Sequence, residues 1–279
     1  TNVIMVSTMT TRDADVTILA MERGAVDFVT KPTNIIEAKG DAFRKEILGI
    51  LNAVLKTERI SLTERRPAVA AVSAVQKRNA SAETRFKNKI VALACSTGGP
   101  KALQSVIPYL PANLDAPMVL VQHMPAGFTN SMANRLDEIS KIHVKEAENG
   151  EILKKGTVYI APGGKHMEVK KCPDGSHKIV YNDMPPIGGL KPCANITYDS
   201  LRTCGYDQVV CVVLTGMGAD GTNGILELSK VKPIYTIAQD AQTCVVYGMP
   251  KAIAETGLVN EVVPLTEVAN SITKNVGVN

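Results

Sequence analysis

The chain of 279 residues contains no tryptophan and only four phenylalanines. Proteins that bind single-stranded nucleic acid stack the bases on aromatic side chains, so we expect no nucleic-acid partner. The net charge of +4 is also too small to indicate binding to a polyanion. A local basic face toward an acidic partner remains compatible with that charge.

Long hydrophobic runs and metal-binding motifs are also missing. No run of about 18 apolar residues occurs, and the first residues lack the pattern of a signal peptide. The six cysteines form no C-x-x-C pair, and no two histidines show the i, i+4 spacing of a helical zinc site. We therefore expect a cytoplasmic protein without membrane insertion, a metal site, a disulfide framework or a cofactor.

Turn signals and charge divide the chain into three parts. Residues 1–56 are predicted to form a β-α-β unit followed by a helix over residues 35–56. Residues 57–87 are polar, charged and weakly periodic, which is typical of a linker. In residues 88–279 apolar strands alternate with segments of helical period. That alternation predicts an α/β fold with a doubly wound, mostly parallel sheet and helices on both faces.

Three reactive side chains each follow a run that is predicted to be a buried strand. They are Ser96 after residues 89–95, His123 after residues 117–122, and Asp220 after residues 209–214 and a glycine turn. Ligands of open α/β sheets bind beyond the carboxyl ends of the strands, so these side chains are expected to converge on one crevice. A nucleophile, a base and an acid at one site are what a serine hydrolase requires.

The turn after the first of these strands allows more than one interpretation. Gly98, Gly99 and Pro100 predict a tight turn into a helix, which brings the Ser96 hydroxyl near backbone N–H groups able to hold an oxyanion. Alternatively, Ser96 or Thr97 caps the helix, or the glycine pair contacts a phosphate. The sequence also departs from the G-x-S-x-G elbow of ordinary α/β hydrolases.

The other two strand ends have alternatives of their own. Asp220 either orients His123, with N–H groups near Met217 completing an oxyanion pocket, or caps a helix that begins near Thr222. The alternative for His123 is a solvent-exposed histidine in a loop. His166 is expected at the surface. A competing function is a phosphate- or nucleotide-binding regulatory module that uses the glycine-rich turns as anion sites.

Five segments between residues 88 and about 275 resemble the catalytic domain of the CheB-type chemotaxis protein-glutamate methylesterases. The segments are Cys95-Ser96-Thr97-Gly98-Gly99-Pro100, Gln122-His123-Met124-Pro125-Ala126-Gly127-Phe128-Thr129, Tyr159-Ile160-Ala161-Pro162-Gly163, Leu214-Thr215-Gly216-Met217-Gly218-Ala219-Asp220-Gly221 and Cys244-Val245-Val246-Tyr247-Gly248-Met249-Pro250. Five motifs in the family's order make this resemblance highly specific.

The resemblance implies a role for each matching residue. It implies that Ser96 is the nucleophile, His123 the base and Asp220 the third member of a triad. Thr97 and Met217 match family positions that line the site, and Gly98 and Gly99 belong to the same oxyanion turn. Its implied reaction is hydrolysis of glutamate γ-methyl esters on the cytoplasmic helices of methyl-accepting chemotaxis receptors. Methanol is released, and receptor glutamines are also deamidated.

One segment departs from the family pattern. Where the family commonly has R-P-S-V-D, this chain has Lys191-Pro192-Cys193-Ala194-Asn195. Lysine lacks the planar fork with which arginine grips carboxylates, and Asn195 removes a charge. We expect the change to affect substrate docking more than the chemistry.

Residues 1–56 resemble the C-terminal half of a response-regulator receiver domain. Ser7 matches its hydroxyl switch position and Lys31 its active-site lysine, with a cis peptide bond expected before Pro32. The strands that carry the acidic pair and the phosphoacceptor aspartate are absent from this sequence, so we expect it to be a fragment of a longer protein. For that full-length protein the resemblance implies the chemotaxis histidine kinase as a partner. We expect residues 1–87 to be loosely docked and the esterase to be constitutively active, because half a receiver buries little apolar surface.

Overall fold

The structure is a computed structural model that describes residues 2–8, 10–32, 40–63 and 86–279. Most of the predicted linker 57–87 and the start of the predicted helix 35–56 lie outside the described residues.

Seven parallel strands form the central sheet, in the order β11-β10-β9-β3-β4-β6-β5. The strands of the described residues are β1 (Ile4–Ser7), β2 (Asp27–Thr30), β3 (Lys89–Cys95), β4 (Met118–Gln122), β5 (His143–Glu146), β6 (Thr157–Ile160), β7 (His166–Lys171), β8 (His177–Asn182), β9 (Gln208–Val213), β10 (Ile234–Gln239) and β11 (Glu261–Val263). Of these, β1 with β2 and β7 with β8 form two separate two-stranded sheets. The doubly wound parallel sheet predicted from the sequence is confirmed. The predicted strands at 89–95, 117–122 and 209–214 match β3, β4 and β9 to within a residue at each end.

The α-helices of the described residues are α1 (Thr11–Glu22), α2 (Asp41–Thr63), α3 (Gly99–Val106), α4 (Phe128–Ile139), α5 (Ala194–Ser200), α6 (Thr222–Ser229), α7 (Met249–Ala254) and α8 (Val268–Val276). The six from α3 to α8 cover the two faces of the seven-stranded sheet. Alternate residues of β3 enter two separate cores, with Val91 and Leu93 on the side of α3, α4 and α8 and Ile90 and Ala92 on the side of α5, α6 and α7. Both faces of β3 are buried, which explains why its sequence is a continuous apolar run. None of the described helices combines the length and apolar character that a membrane span requires.

An antiparallel hairpin of β7 and β8 packs beside the sheet and was not predicted. The Pro173-Asp174-Gly175 sequence at its tip is a turn signal that marks such a hairpin. The expectation that His166 lies at the surface is wrong. This residue begins β7 and is fully buried. Its ring Nε2 lies 3.1 Å from the Pro185 carbonyl oxygen, so the hairpin and its following loop cover it.

The N-terminal residues pair β1 with β2 in parallel and pack closely against the part of the chain that follows residue 88. Phe28 stacks on Phe128 with ring centroids 4.5 Å apart, and the Arg135 guanidinium holds the Glu22 carboxylate by two hydrogen bonds of 3.0 and 2.9 Å. The expectation of loose docking is therefore wrong for the described residues, because α1 and β2 share one apolar core with α3 and α4. Among the described residues a cis peptide bond lies before Pro192 and none lies before Pro32.

Candidate active site

The three predicted site residues follow three strands at the centre of the sheet. β3 pairs with β4 on one side and with β9 on the other, so the turns after these strands are neighbours. Ser96 begins the turn after β3, His123 begins the turn after β4, and Asp220 lies in the loop between β9 and α6. The structure brings the ends of these strands together at the carboxyl edge, where α/β proteins bind their ligands.

The turn that carries Ser96 is fixed by backbone hydrogen bonds. The Ser96 N–H donates to the Thr215 carbonyl at 3.0 Å, and the Gly99 N–H donates back to the Ser96 carbonyl at 2.7 Å. Gly98 has a φ of 76°, a conformation that favours glycine, and a Cβ at this position would overlap the Val245 side chain. Gly98 is the N-cap of α3 and makes no side-chain capping bond, so neither Ser96 nor Thr97 caps the helix.

His123 and Asp220 form a buried pair. The His123 ring Nε2 lies 2.8 Å from Asp220 Oδ2, and the two side chains are only 8% and 7% exposed. An ionised carboxylate accepts a hydrogen bond, so the ring carries its proton on Nε2 and leaves the Nδ1 lone pair free to act as a base. Asp220 is therefore not a simple helix cap, and the N-cap of α6 is Gly221.

Hydrogen bonds from several donors hold the Asp220 carboxylate ionised. Burial by itself raises the pKa of Asp220, but hydrogen bonds from His123, the Ala194 N–H and the Cys193 thiol outweigh it and lower the pKa to about 2. The donor distances are 2.6 Å from the Ala194 N–H and 3.2 Å from Cys193 Sγ. The Asn195 and Gly221 N–H groups add bonds of 3.1 and 2.9 Å. At neutral pH the third site residue is thus a fixed negative charge.

The segment that departs from the family pattern lies behind this carboxylate. Cys193 donates to Asp220, and the Asn195 side-chain oxygen accepts the Gly221 and Gly224 N–H groups at 3.1 and 2.8 Å, which caps α6. Cys193 and Asn195 thus contact Asp220, because α5 packs on α6 and its first turn faces this carboxylate. Sequence reasoning missed these contacts since no local signal reports a contact over 25 residues. That the departure at Lys191 and Asn195 affects substrate docking more than the chemistry stays a prediction.

Two further predicted residues border Ser96. Met217 is 51% exposed in the turn after β9, and a Cβ added at its neighbour Gly216 would press on the Ser96 Cβ. Thr97 is buried, and its carbonyl accepts the Thr215 hydroxyl at 3.0 Å, which joins the two turns. Because the Gly99 N–H already donates to Ser96, Gly99 shapes the turn and is not available as an oxyanion donor.

A doubly wound sheet with a serine, a histidine and a carboxylate at one edge places this chain among α/β serine hydrolases. The chain belongs to the CheB methylesterase family, which residues 91–272 match.

Named relatives agree with that assignment. A protein-glutamate methylesterase/protein-glutamine glutaminase of Symbiobacterium thermophilum is 40% identical over 99% of this chain and 77% of its own length. One from Pyrococcus horikoshii is 43% identical over 98% of this chain and 73% of its own length. The crystal structure of the Thermotoga maritima CheB methylesterase catalytic domain superposes with a TM-score of 0.63 at 42% identity. That match covers 66% of this chain and 97% of the Thermotoga domain.

Proposed function

We propose that this chain is a protein-glutamate methylesterase and protein-glutamine glutaminase in which Ser96 is the nucleophile, His123 the base and Asp220 the residue that orients the base. The observation that carries the proposal is the buried His123–Asp220 pair at 2.8 Å, held at the strand end next to Ser96. The relatives that share about two fifths of its residues bear both activities in their names.

The geometry supports a two-step acyl transfer. His123 Nδ1 takes the Ser96 proton as the serine oxygen attacks the γ-carbonyl of a glutamate methyl ester, while Asp220 stabilises the imidazolium that forms. The tetrahedral intermediate expels methoxide, which takes the proton from His123 and leaves as methanol. Water, deprotonated by the same imidazole, then hydrolyses the acyl-serine to a free glutamate. With a glutamine substrate the leaving group is ammonia, and the product is again glutamate.

The candidate oxyanion donors are the backbone N–H groups of Thr97 and Met217. Both residues lie in the two turns that Thr215 joins, and in the described part of the chain neither N–H has a backbone partner. Removing one such donor from an acyl-transfer enzyme costs about 10²- to 10³-fold in kcat. Because Met217 is half exposed, its side chain is also placed to contact the substrate.

The proposed substrates are the methylated glutamates on the cytoplasmic helices of chemotaxis receptors. Such helices carry many carboxylates, which suits an enzyme with a net charge of +4. This substrate implies a cytoplasmic site of action, and for the full-length protein it implies the chemotaxis histidine kinase as a second partner.

We further propose that the chain consists of a partial receiver domain over residues 1–56, a linker over residues 57–87 and the catalytic domain over residues 88–279. In support, Ser7 and Lys31 lie at the carboxyl ends of adjacent parallel strands, and the Lys31 N–H donates to the Ser7 carbonyl at 2.6 Å. The Ser7 hydroxyl accepts a bond of 2.7 Å from Thr17.

The alternative of a phosphate- or nucleotide-binding module has less support. A phosphate at the N-terminus of α6 would need free N–H groups there, but those of Gly221 and Gly224 already donate to Asn195. At the start of α3 the Gly99 N–H donates to Ser96.

The test of the proposed function is methanol release from methylated receptor membranes. We expect Ser96→Ala and His123→Ala each to lower kcat by about 10⁴-fold or more, and the double variant to lose no more than either, because triad members act as a unit. Asp220→Asn should lose less and keep measurable activity. Methanol release by Ser96→Ala near the wild-type rate would show that the nucleophile is another residue.

A further inference from the structure

One buried amide side chain contacts the backbone of both Ser96 and His123. Gln122 is the last residue of β4 and pairs in register with Cys95, the last residue of β3. It is only 2% exposed, although it lies at the edge of the sheet where the site opens. A buried primary amide is costly unless its donors and acceptor are all used, so its partners indicate why it is there.

All the polar groups of Gln122 have partners in the two turns. The Nε2 amino group donates to the Ser96 carbonyl and to the His123 carbonyl, both at 3.1 Å. The Oε1 oxygen accepts the Cys95 thiol at 3.0 Å. Burial raises the pKa of Cys95, which keeps this thiol protonated and able to donate. These bonds fix which end of the amide faces the two carbonyls.

The turn after Ser96 is shaped to receive this amide. Gly99 is the first residue of α3, and a Cβ added there would overlap Gln122 Oε1. The Ser96 carbonyl consequently accepts two bonds, one from the Gly99 N–H inside the turn and one from Gln122 across it. The sheet ladder ends just before, with the His123 N–H bonded to the Cys95 carbonyl at 3.3 Å.

We infer that Gln122 is a positioning residue that sets the geometry between Ser96 and His123 without touching substrate. The inference rests on the proposed roles of those two residues. Beyond the last ladder bond, the Gln122 side chain joins the two turns directly. Proton transfer and attack require the reacting atoms to be placed within a fraction of an ångström, and a misplacement of 1 Å costs about 10²-fold in rate. Loss of the bridge should therefore lower kcat and leave KM little changed.

The experiment compares Gln122→Met with Ser271→Ala. Ser271 is the control because it is also a buried polar side chain, and its hydroxyl bonds Glu261 in the edge strand β11, away from the turns that carry Ser96, His123 and Asp220. Methionine keeps the volume and removes the amide. We expect Gln122→Met to lower kcat for methanol release by about 10- to 100-fold, with KM within about 2-fold. Labelling of Ser96 by a serine-directed phosphonate should slow in parallel. Ser271→Ala should lower the melting temperature but keep kcat within about 3-fold.

A second pair of variants tests the same bridge without deleting the amide. Gly99→Ala presses on Gln122 Oε1 and should also lower kcat, whereas in a Gln122→Ala background that overlap is gone and the nearest remaining atom is Cys95 Cβ at 3.2 Å. We expect Gly99→Ala to cause a much smaller further loss in that background, because residues in contact are not additive. If Gln122→Met does not fold, the effects of Gly99→Ala on kcat in the two backgrounds still test the inference.

The inference is overturned if Gln122→Met keeps kcat within about 2-fold of wild type, or if the losses of Gly99→Ala and Gln122→Ala simply multiply. If either result is obtained while the Ser96→Ala variant is inactive, the inference about Gln122 is refuted and the proposed function still stands. An active Ser96→Ala would instead refute the proposed function.

Discussion

At the scale of single residues, the site depends on how Asp220 is kept ionised and in place. Its carboxylate receives the His123 ring, three backbone N–H groups and one thiol. The thiol belongs to Cys193, whose pKa is raised to about 11 by burial and by the neighbouring Asp220 charge. Cys193 is thus a neutral donor at physiological pH and adds to the stabilisation of the charge.

The contribution of this donor can be measured with two substitutions. Cys193→Ala removes the donor and should lower kcat/KM by about 3- to 10-fold, since a hydrogen bond to a charged group contributes about 1.5–3 kcal/mol and a thiol donates weakly. Cys193→Ser restores a stronger donor and should match or exceed the wild type. Cys204→Ala is the control, because Cys204 is equally buried but bonds the Val169 carbonyl. Equal activity of the Ala and Ser variants would show that the thiol does not matter to catalysis.

At the scale of elements, a histidine with a lowered pKa joins the β7–β8 hairpin to the residues just before β9. His177 is buried, stacks on Tyr206 at 4.1 Å and accepts the Gly205 N–H at 2.8 Å. Burial first, and then the positive charges of Lys171 and Lys232, lower the pKa of His177 below 6.5. Protonation would turn the accepting nitrogen into a donor facing another donor, so the charged form opposes this contact.

This burial predicts a pH dependence of stability. Between the lowered folded pKa and about 6.5 the unfolded chain binds the extra proton, so the free energy of unfolding falls as the pH drops below about 6.5. His177→Gln keeps an acceptor but does not titrate. We expect this variant to lose less unfolding free energy than the wild type when the pH is lowered from 7.5 to 5.5. Urea denaturation of both proteins at the two pH values gives these free energies. Identical pH slopes would mean that His177 is protonated without disturbing the hairpin.

At the scale of the whole molecule, the N-terminal residues border the candidate site. α2 and β2 share a small apolar core with Val245, the residue that also packs on Gly98 in the Ser96 turn. Gly49 of α2 faces the end of the Met217 side chain. The N-terminal part therefore packs against Val245, the neighbour of Gly98, and faces the Met217 side chain. The expectation of constitutive activity did not anticipate these contacts.

We therefore expect removal of residues 1–87 to raise kcat/KM on receptors by about 5-fold or more, as interdomain couplings of about 1–3 kcal/mol produce. Arg135→Gln, which breaks the bonds to Glu22, should give part of that rise in the intact chain. Arg202→Gln is the control, because this arginine pairs with Asp199 elsewhere on the catalytic part. Paired methanol-release assays of the four proteins measure the effect, and unchanged activity after trimming would show that the docked residues leave the site open.

Patterns within short windows of sequence determined much of this protein. The continuous apolar runs of β3, β4 and β9 predicted strands buried on both faces, and the glycine turns after them predicted where the strands end. The order of these elements determined the parallel sheet. The strand ends then indicated Ser96, His123 and Asp220, because a parallel sheet brings its carboxyl ends to one edge.

Only the tertiary structure decided what holds those three residues. The contacts of Gln122 with Ser96 and of Asn195 with Asp220 join residues 26 and 25 positions apart, and the Arg135–Glu22 bonds join residues 113 apart. Periodicity and turn chemistry act within a few residues, so they carry no information about which distant side chains meet. His166 and His177 begin the two strands of the β7–β8 hairpin, and their burial depends in the same way on how complete elements pack. The same holds for the packing of α1 against α4. Packing is decided by the shapes of whole surfaces, which no local pattern in the chain encodes.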